Sequence, residues 1–272
     1  MNKSVILVPL DGSAAALAAL PVAKVLSELE QTPLLLVHVG ERKVPDDALF
    51  NWLKLAGQEV DDVIIEARTG EPAAEINRIM NEIKPKMIVL CKHTATEPRN
   101  VLGNTATNVL RKNSCPVVLV PPERGSKPWH LHHVLVPHDG TPSTSAALPP
   151  ATEIVGHAHA ELLIAHVTNV APAPTEPGSL TTPLYVDHPQ HEWPAWSSEF
   201  VKRIACICPL GLLHVRVFLA CGTPAREITR LAGEQSTDLV VLAWRGVWET
   251  PRAAILKELI GETLCPVMVV RA

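Results

Sequence analysis

The chain has 272 residues, 47% of them apolar and 19% charged, and carries a formal net charge of −4. This is the composition of a globular protein, not a disordered one, with room for one large domain or two small ones. The mild acidity and the absence of a dominant basic patch argue against a nucleic-acid partner.

Met1-Asn2-Lys3-Ser4 leads into an apolar run too short for a signal-peptide core. No apolar stretch nears the roughly 18 residues that a membrane span needs. The six cysteines fit no disulfide framework in a chain this long, so they read as reduced thiols of a cytoplasmic protein.

Ser4–Leu10 is a continuous apolar run rich in β-branched residues, which predicts a strand buried on both faces. Ser13–Leu29, rich in alanine and leucine, predicts a helix capped by Ser13. A second strand follows at Leu34–Val39, a helix at Asp47–Glu59 and a third strand at Val63–Ala67. Pro72–Glu82 predicts a helix with proline in its first turn, where a missing N–H costs little. Met87–Cys91 reads as a strand, Val101–Lys112 as a helix and Val117–Pro121 as a fifth strand.

The same order then recurs, from Val134–Pro137 to Val267–Val270. Shifted by 128 residues, Ile6-Leu7-Val8-Pro9-Leu10-Asp11-Gly12 falls on Val134-Leu135-Val136-Pro137-His138-Asp139-Gly140, and His38-Val39 falls on His166-Val167. Shifted by 152, residues 70–90 match their partners at nine of 21 positions, beginning Gly70-Glu71-Pro72-Ala73 against Gly222-Thr223-Pro224-Ala225. Cys115-Pro116-Val117 falls on Cys265-Pro266-Val267 at a shift of 150. The change of shift places an insertion of 24 residues in the second copy, near 168–193. That stretch is rich in Pro, Thr and His and ends near Trp193 and Trp196; it could cover a pocket or a partner surface. The expected organisation is a domain over 1–122, a proline-rich linker over 123–129 and a second domain over 130–272. Alternating strands and helices imply an α/β fold, two tandem doubly wound parallel sheets of five strands each. Ligands bind such sheets at the carboxyl ends of the strands.

Three features together resemble the universal stress protein family: Asp11-Gly12-Ser13 with its partner Asp139-Gly140-Thr141, the Gly-x-Pro-Ala-x-Glu-Ile block, and Cys-Pro-Val before the last strand. The resemblance covers nearly the whole chain, twice. It implies the adenine-nucleotide α-hydrolase-like strand order three-two-one-four-five. It also implies pairing through the fifth strands, which in a tandem chain makes an internal pseudo-dimer. A homodimer would then use another surface.

Some members of that family bind ATP on a glycine-rich loop after strand four, because glycine lets the backbone approach a phosphate and the helix start presents N–H groups to it. Here the early glycine positions hold Cys91 and Thr94, while Gly103 persists, followed by Asn104 and Thr105. Lys92 and Arg99 could supply positive charge from side chains. In the second copy Gly246 survives, Ala253-Ala254 replaces the later pair, and Trp244 and Trp248 add bulk. The resulting candidate ligand set is Asp11, Gly12, Ser13, His38, Val39, Gly103, Asn104 and Thr105 in the first copy and Asp139, Gly140 and Gly246 in the second. The structural alternative is that Asp11 and Asp139 terminate a strand and cap a helix. Likewise His38 and His166 could touch a ligand or be hydrogen-bonded at the edge of the core.

His130, His132, His133, His157, His159, His188 and His191 show no closed four-ligand spacing with cysteine, so they read as surface and loop residues and no metal is expected. Cys206 and Cys208, two apart on a helix, do not face each other. Asp46-Asp47 and Asp61-Asp62 read as solvated carboxylates. No Walker loop, Gly-x-Gly-x-x-Gly fingerprint or nucleophile elbow is present. The sequence therefore reads as a stress-response regulator or adaptor without turnover, acting through a protein partner or a small ligand. The rival is a sensor holding ATP or AMP in its first copy. A hydrolase of the same fold is the third reading, disfavoured because no paired base and nucleophile appear.

Overall fold

The computed structural model describes residues 4–41, 44, 49, 63–93, 102–112, 115–168, 198–206, 211, 213–248 and 250–272. Of the expected helix Asp47–Glu59 only Leu49 is among them, buried and helical, and the insertion lies outside them beyond Thr168. The chain divides into two compact units, Met1–His130 with Gly246–Arg271, and Leu131–Arg245 with Ala272.

In the first unit the strands are β1 (Ile6–Pro9), β2 (Leu34–Gly40), β3 (Val63–Thr69), β4 (Met87–Cys91) and β5 (Val117–Val120). They lie in the order β3-β2-β1-β4-β5, all parallel. This is the expected strand order. Parallel neighbours cannot be joined by tight hairpins, so helices cross between them: α1 (Ala19–Glu30), α2 (Pro72–Ile83) and α3 (Asn104–Lys112). β1, β4 and β5 are buried along nearly their whole length, which is why they read as unbroken apolar runs.

Helix α1 begins later than the sequence predicts. Ser13 does cap, its Oγ accepting from Ala16 N–H at 3.1 Å, but a 3₁₀ turn at Ala16–Ala18 intervenes. Pro21, which has no N–H to give Leu17, sits comfortably only in a first turn, so the regular helix starts at Ala19. At α2, Pro72 occupies that first turn, and Glu71 caps it by accepting from Ala73 and Ala74 N–H at 3.1 and 2.7 Å. α3 opens at Asn104, after Gly103 donates its N–H to Lys92 O at 2.8 Å.

The first unit also contains α7 (Pro251–Glu262) and β10 (Val267–Arg271), the last helix and strand of the second repeat. β10 pairs antiparallel with β5, Val267 facing Leu119 and Val269 facing Val117. The fifth strands of the two repeats are thus paired, as the resemblance implies.

The second unit holds β6 (His133–Pro137), α4 (Leu148–Ala158), β7 (Glu161–Thr168), α5 (198–206), β8 (His214–Cys221), α6 (Pro224–Glu234) and β9 (Leu239–Trp244). Its four strands are parallel in the order β9-β6-β7-β8, the counterpart of β4-β1-β2-β3.

The duplication extends to the backbone. Gln31 and His159, 128 apart, both close a helix with positive φ, at +46° and +50°. Lys84, which closes α2, and Ser236, 152 further on and one residue past the cap of α6, are likewise positive at +48° and +49°. The members of each pair differ in identity, so the left-handed turn belongs to the fold and not to a favoured residue. Gly70 and Gly222 show the opposite case. At φ +141° and +149° a side chain is strained, and a Cβ on Gly70 would lie 2.9 Å from Glu75 Cγ.

Candidate functional site

At the carboxyl ends of β1, β2 and β4 the first unit has a cavity of about 230 Å³. Its floor is apolar: Pro9, Leu10 and Ala16 from the first strand and turn, Val37 and Val39 from β2, Pro72 and Ile76 from α2, and Leu90 from β4. Its polar wall is Asp11 and Ser13 on one side and Asn104 and Thr105 at the start of α3 on the other. Of the sequence-selected residues the cavity brings together Asp11, Ser13, Val39, Gly103, Asn104 and Thr105. Gly12 and His38 do not line it. Gly12 makes the turn at φ +79°. His38, buried, donates Nδ1–H to Leu10 O at 2.9 Å and so ties β2 to the end of β1.

Asp11 Oδ1 accepts from Ser13 N–H at 2.9 Å, an Asx turn that fixes the carboxylate at the exposed rim. The first hydrogen bond within α3 runs from Thr107 N–H to Gly103 O, 2.9 Å, so the N–H groups of Asn104, Thr105 and Ala106 precede the helix ladder. Cys91 lines the wall, its thiol donating to His93 O at 3.0 Å; burial pushes its pKa up to about 11, so it stays protonated at neutral pH. Thr94 and Arg99 lie outside the described residues.

Lys92 corrects an expectation. Its side chain does not offer its charge to the cavity. It is buried, and its ammonium donates to Ile260 O at 3.1 Å and to Gly261 and Thr263 O at 3.4 Å, the final carbonyls of α7. These are the orphan acceptors of a helix end, where the macrodipole is negative, so a cation is well placed. Burial lowers the lysine pKa, and the Glu123 carboxylate opposes that shift; the carbonyls supply the hydrogen bonds that a buried ammonium needs. No sequence signal marks this contact, because its partners lie 168 to 171 positions away.

The second unit closes the matching strand end with its own side chains. Asp139 Oδ1 accepts from Thr141 N–H at 3.0 Å, Thr141 Oγ1–H at 2.6 Å and Thr144 Oγ1–H at 2.8 Å. His138 stands where the first copy has Leu10. Its Nδ1 accepts from Gly140 N–H at 3.0 Å, so its proton sits on Nε2, which donates to Ser145 Oγ at 3.1 Å. Ser145 passes its own hydroxyl proton to Thr141 O at 3.1 Å. Burial pushes the His138 pKa down to about 4 and lowers that of His166. Phe200 packs edge-on against His138 at 5.1 Å and is tilted against His166 at 5.7 Å. His166 Nδ1–H donates to His138 O at 2.8 Å, the counterpart of the His38 bond. This polar knot escaped sequence reasoning, although the replacement of Leu10 by His138 between aligned copies was a visible signal.

Gly140 makes its turn at φ +82°. Gly246 lies in the first unit at φ +79°, where an added Cβ would overlap the Arg271 guanidinium. Trp248 takes cations on its ring, Lys257 at 4.7 Å and Arg111 at 5.8 Å from the centroid. Trp244 is buried at the end of β9. Of the histidines flanking β6, His132 and His133 donate their backbone N–H to Asp238 at 2.8 and 3.0 Å, and His130, His157 and His159 are exposed. His188 and His191 lie outside the described residues, as does Cys208. Among the described residues no helix is long and apolar enough to cross a membrane.

Among the solved structures to which this chain is similar, some share its fold over nearly its full length. A functionally unknown protein from Pseudomonas aeruginosa PAO1 superposes with a TM-score of 0.71 at 17% identity, covering 99% of this chain and 92% of that one. A universal stress protein from Archaeoglobus fulgidus DSM 4304 gives 0.65 at 19% identity, covering 100% and 99%. The sequence model of the universal stress protein family matches residues 43–121 and again 130–271, and with both repeats accounted for, the chain belongs to the universal stress protein family.

Proposed function

We propose that this protein works without turnover, as a tandem stress-response regulator whose first repeat keeps a small-ligand cavity and whose second repeat has given its own up. Each repeat, 1–122 and 130–272, would be one family module, with 123–129 as linker. The observation that carries the reading is the contrast between the two aspartates. Among the described residues Asp11 is held by one backbone N–H, and it lines an open cavity, whereas Asp139 Oδ1 alone receives three donors from its own loop. A carboxylate so occupied has little left to offer a ligand. No nucleophile with an adjacent oriented base occurs among the described cavity residues, which supports binding over catalysis. A protein partner would then read the occupied or empty state. Because the first copy carries the cavity, the ligand stoichiometry should be one per chain.

A second reading, a sensor for ATP or AMP, is favoured by the N–H groups at the start of α3, which would suit a phosphate. Mass spectrometry of small molecules released from the denatured, purified chain tests the cavity, and calorimetry with the released compound gives its stoichiometry. One site per chain, abolished by Asp11→Ala and untouched by Asp139→Ala, is the expected result. Two sites, or loss on Asp139→Ala alone, would overturn it, and steady phosphate release from ATP would revive the hydrolase.

A further inference from the structure

Resting on the reading that the first repeat keeps a ligand cavity, we infer that this cavity selects an uncharged, ring-bearing ligand with hydroxyl donors, and rejects phosphorylated ones. Among the described lining residues there is one carboxylate, Asp11, and one lysine, Lys92. The lysine's three donors are directed to Ile260, Gly261 and Thr263 carbonyls, three acceptors for three N–H groups, so its charge is committed to the end of α7. Cys91 is a neutral thiol, and His93, the remaining titratable group, is buried.

What the described walls leave is a negative charge at the rim over an apolar floor of Leu10, Val37, Val39, Ile76 and Leu90. A multiply charged phosphate chain entering there meets a like charge and no side-chain counter-ion from the described walls. The α3 N–H groups supply at most about half an elementary charge, which a full carboxylate on the same cavity outweighs. A neutral ring is drawn in by the floor instead. The Asp11 carboxylate can then accept hydroxyl protons, since among the described residues its one hydrogen bond is to Oδ1, from Ser13 N–H. The volume agrees. About 230 Å³ lies below the roughly 300–1,000 Å³ of common small-ligand pockets and suits a ring with a small polar appendage better than a triphosphate. Recruiting Lys92 as a helix cap would in this way have changed what the cavity accepts.

Titration calorimetry of the full chain with adenosine, AMP and ATP plus Mg²⁺, at moderate salt, tests this. Adenosine is expected to bind at least roughly tenfold tighter than ATP, a difference of about 1.4 kcal/mol. In Asp11→Asn, adenosine should weaken and the ratio should fall towards one, because the repelling charge is gone and the shape is kept. Circular dichroism confirms that the variant folds. ATP binding as tightly as adenosine, or a ratio unmoved by Asp11→Asn, overturns the charge selection while leaving the cavity as a ligand site. If none of the three probes binds, both the selection and the cavity reading fall.

Discussion

Acidification should strip stability from the second repeat through His138. In the folded chain both ring nitrogens are committed, Nδ1 as acceptor from Gly140 N–H and Nε2 as donor to Ser145, so a second proton cannot be added without losing the Gly140 bond. Burial holds the folded pKa at about 4, against 6.5 for an ordinary histidine. The folded value is depressed, so the unfolded chain takes up the proton first. The contribution is intact above about pH 6.5, is lost as pH falls through the window between the two values, and levels off below the folded one. A gap of about 2.5 units at about 1.4 kcal/mol each is worth about 3 kcal/mol in all, of which about 2 kcal/mol is gone by pH 5. The natural control is His138→Leu, which installs the residue found at Leu10. At pH 8 that variant should lose about 1 kcal/mol, because Gly140 N–H and Ser145 lose a partner while an apolar side chain is gained. At pH 5 it should match or exceed the parent. Urea unfolding between pH 5 and 8, followed by circular dichroism, reads the crossing, and the difference between parent and variant removes the common contribution of the other histidines. Parallel stability curves for the two proteins, or an NMR titration placing the His138 pKa near 6.5, would refute the argument.

Lys92→Met should lower stability by about 1.5–3 kcal/mol, the worth of hydrogen bonds to a charged group. The loss should appear in hydrogen exchange as faster amides at the end of α7 and in β10; uniform acceleration over the chain would contradict it. Gly70→Ala should cost about 1–3 kcal/mol, from backbone strain and the contact with Glu75, whereas Gly233→Ala, inside α6 with nothing within 4 Å of a new Cβ, should stabilise by about 0.5–1 kcal/mol. Equal midpoints for the two in thermal melts would count against the steric account. Iodoacetamide at pH 8 should label the exposed Cys206 and Cys221 well before Cys91, whose thiol is protonated up to about pH 11, and mass spectrometry of timed quenches reads the order.

Much of this protein was legible from its chain, for local reasons. Unbroken β-branched runs can only be strands buried on both faces, proline marks a helix's first turn, and Gly70 and Gly222 recur because the fold needs a residue without Cβ there. The repeat, the strand order and the Asp11 turn followed from such signals and from the family likeness they carried. The tertiary structure decided what depends on distant partners. It sent Lys92 to the end of α7 and placed Gly246–Arg271 in the unit of the first repeat. It closed Asp139 while leaving Asp11 at an open cavity, although the two motifs read alike. It also set left-handed turns at Gln31 and His159, and at Lys84 and Ser236, where no residue type announces them. A backbone preference is written into neighbouring residues and can be read there; the destination of a side chain is fixed by which groups packing brings within about 3 Å, and only the folded chain supplies those.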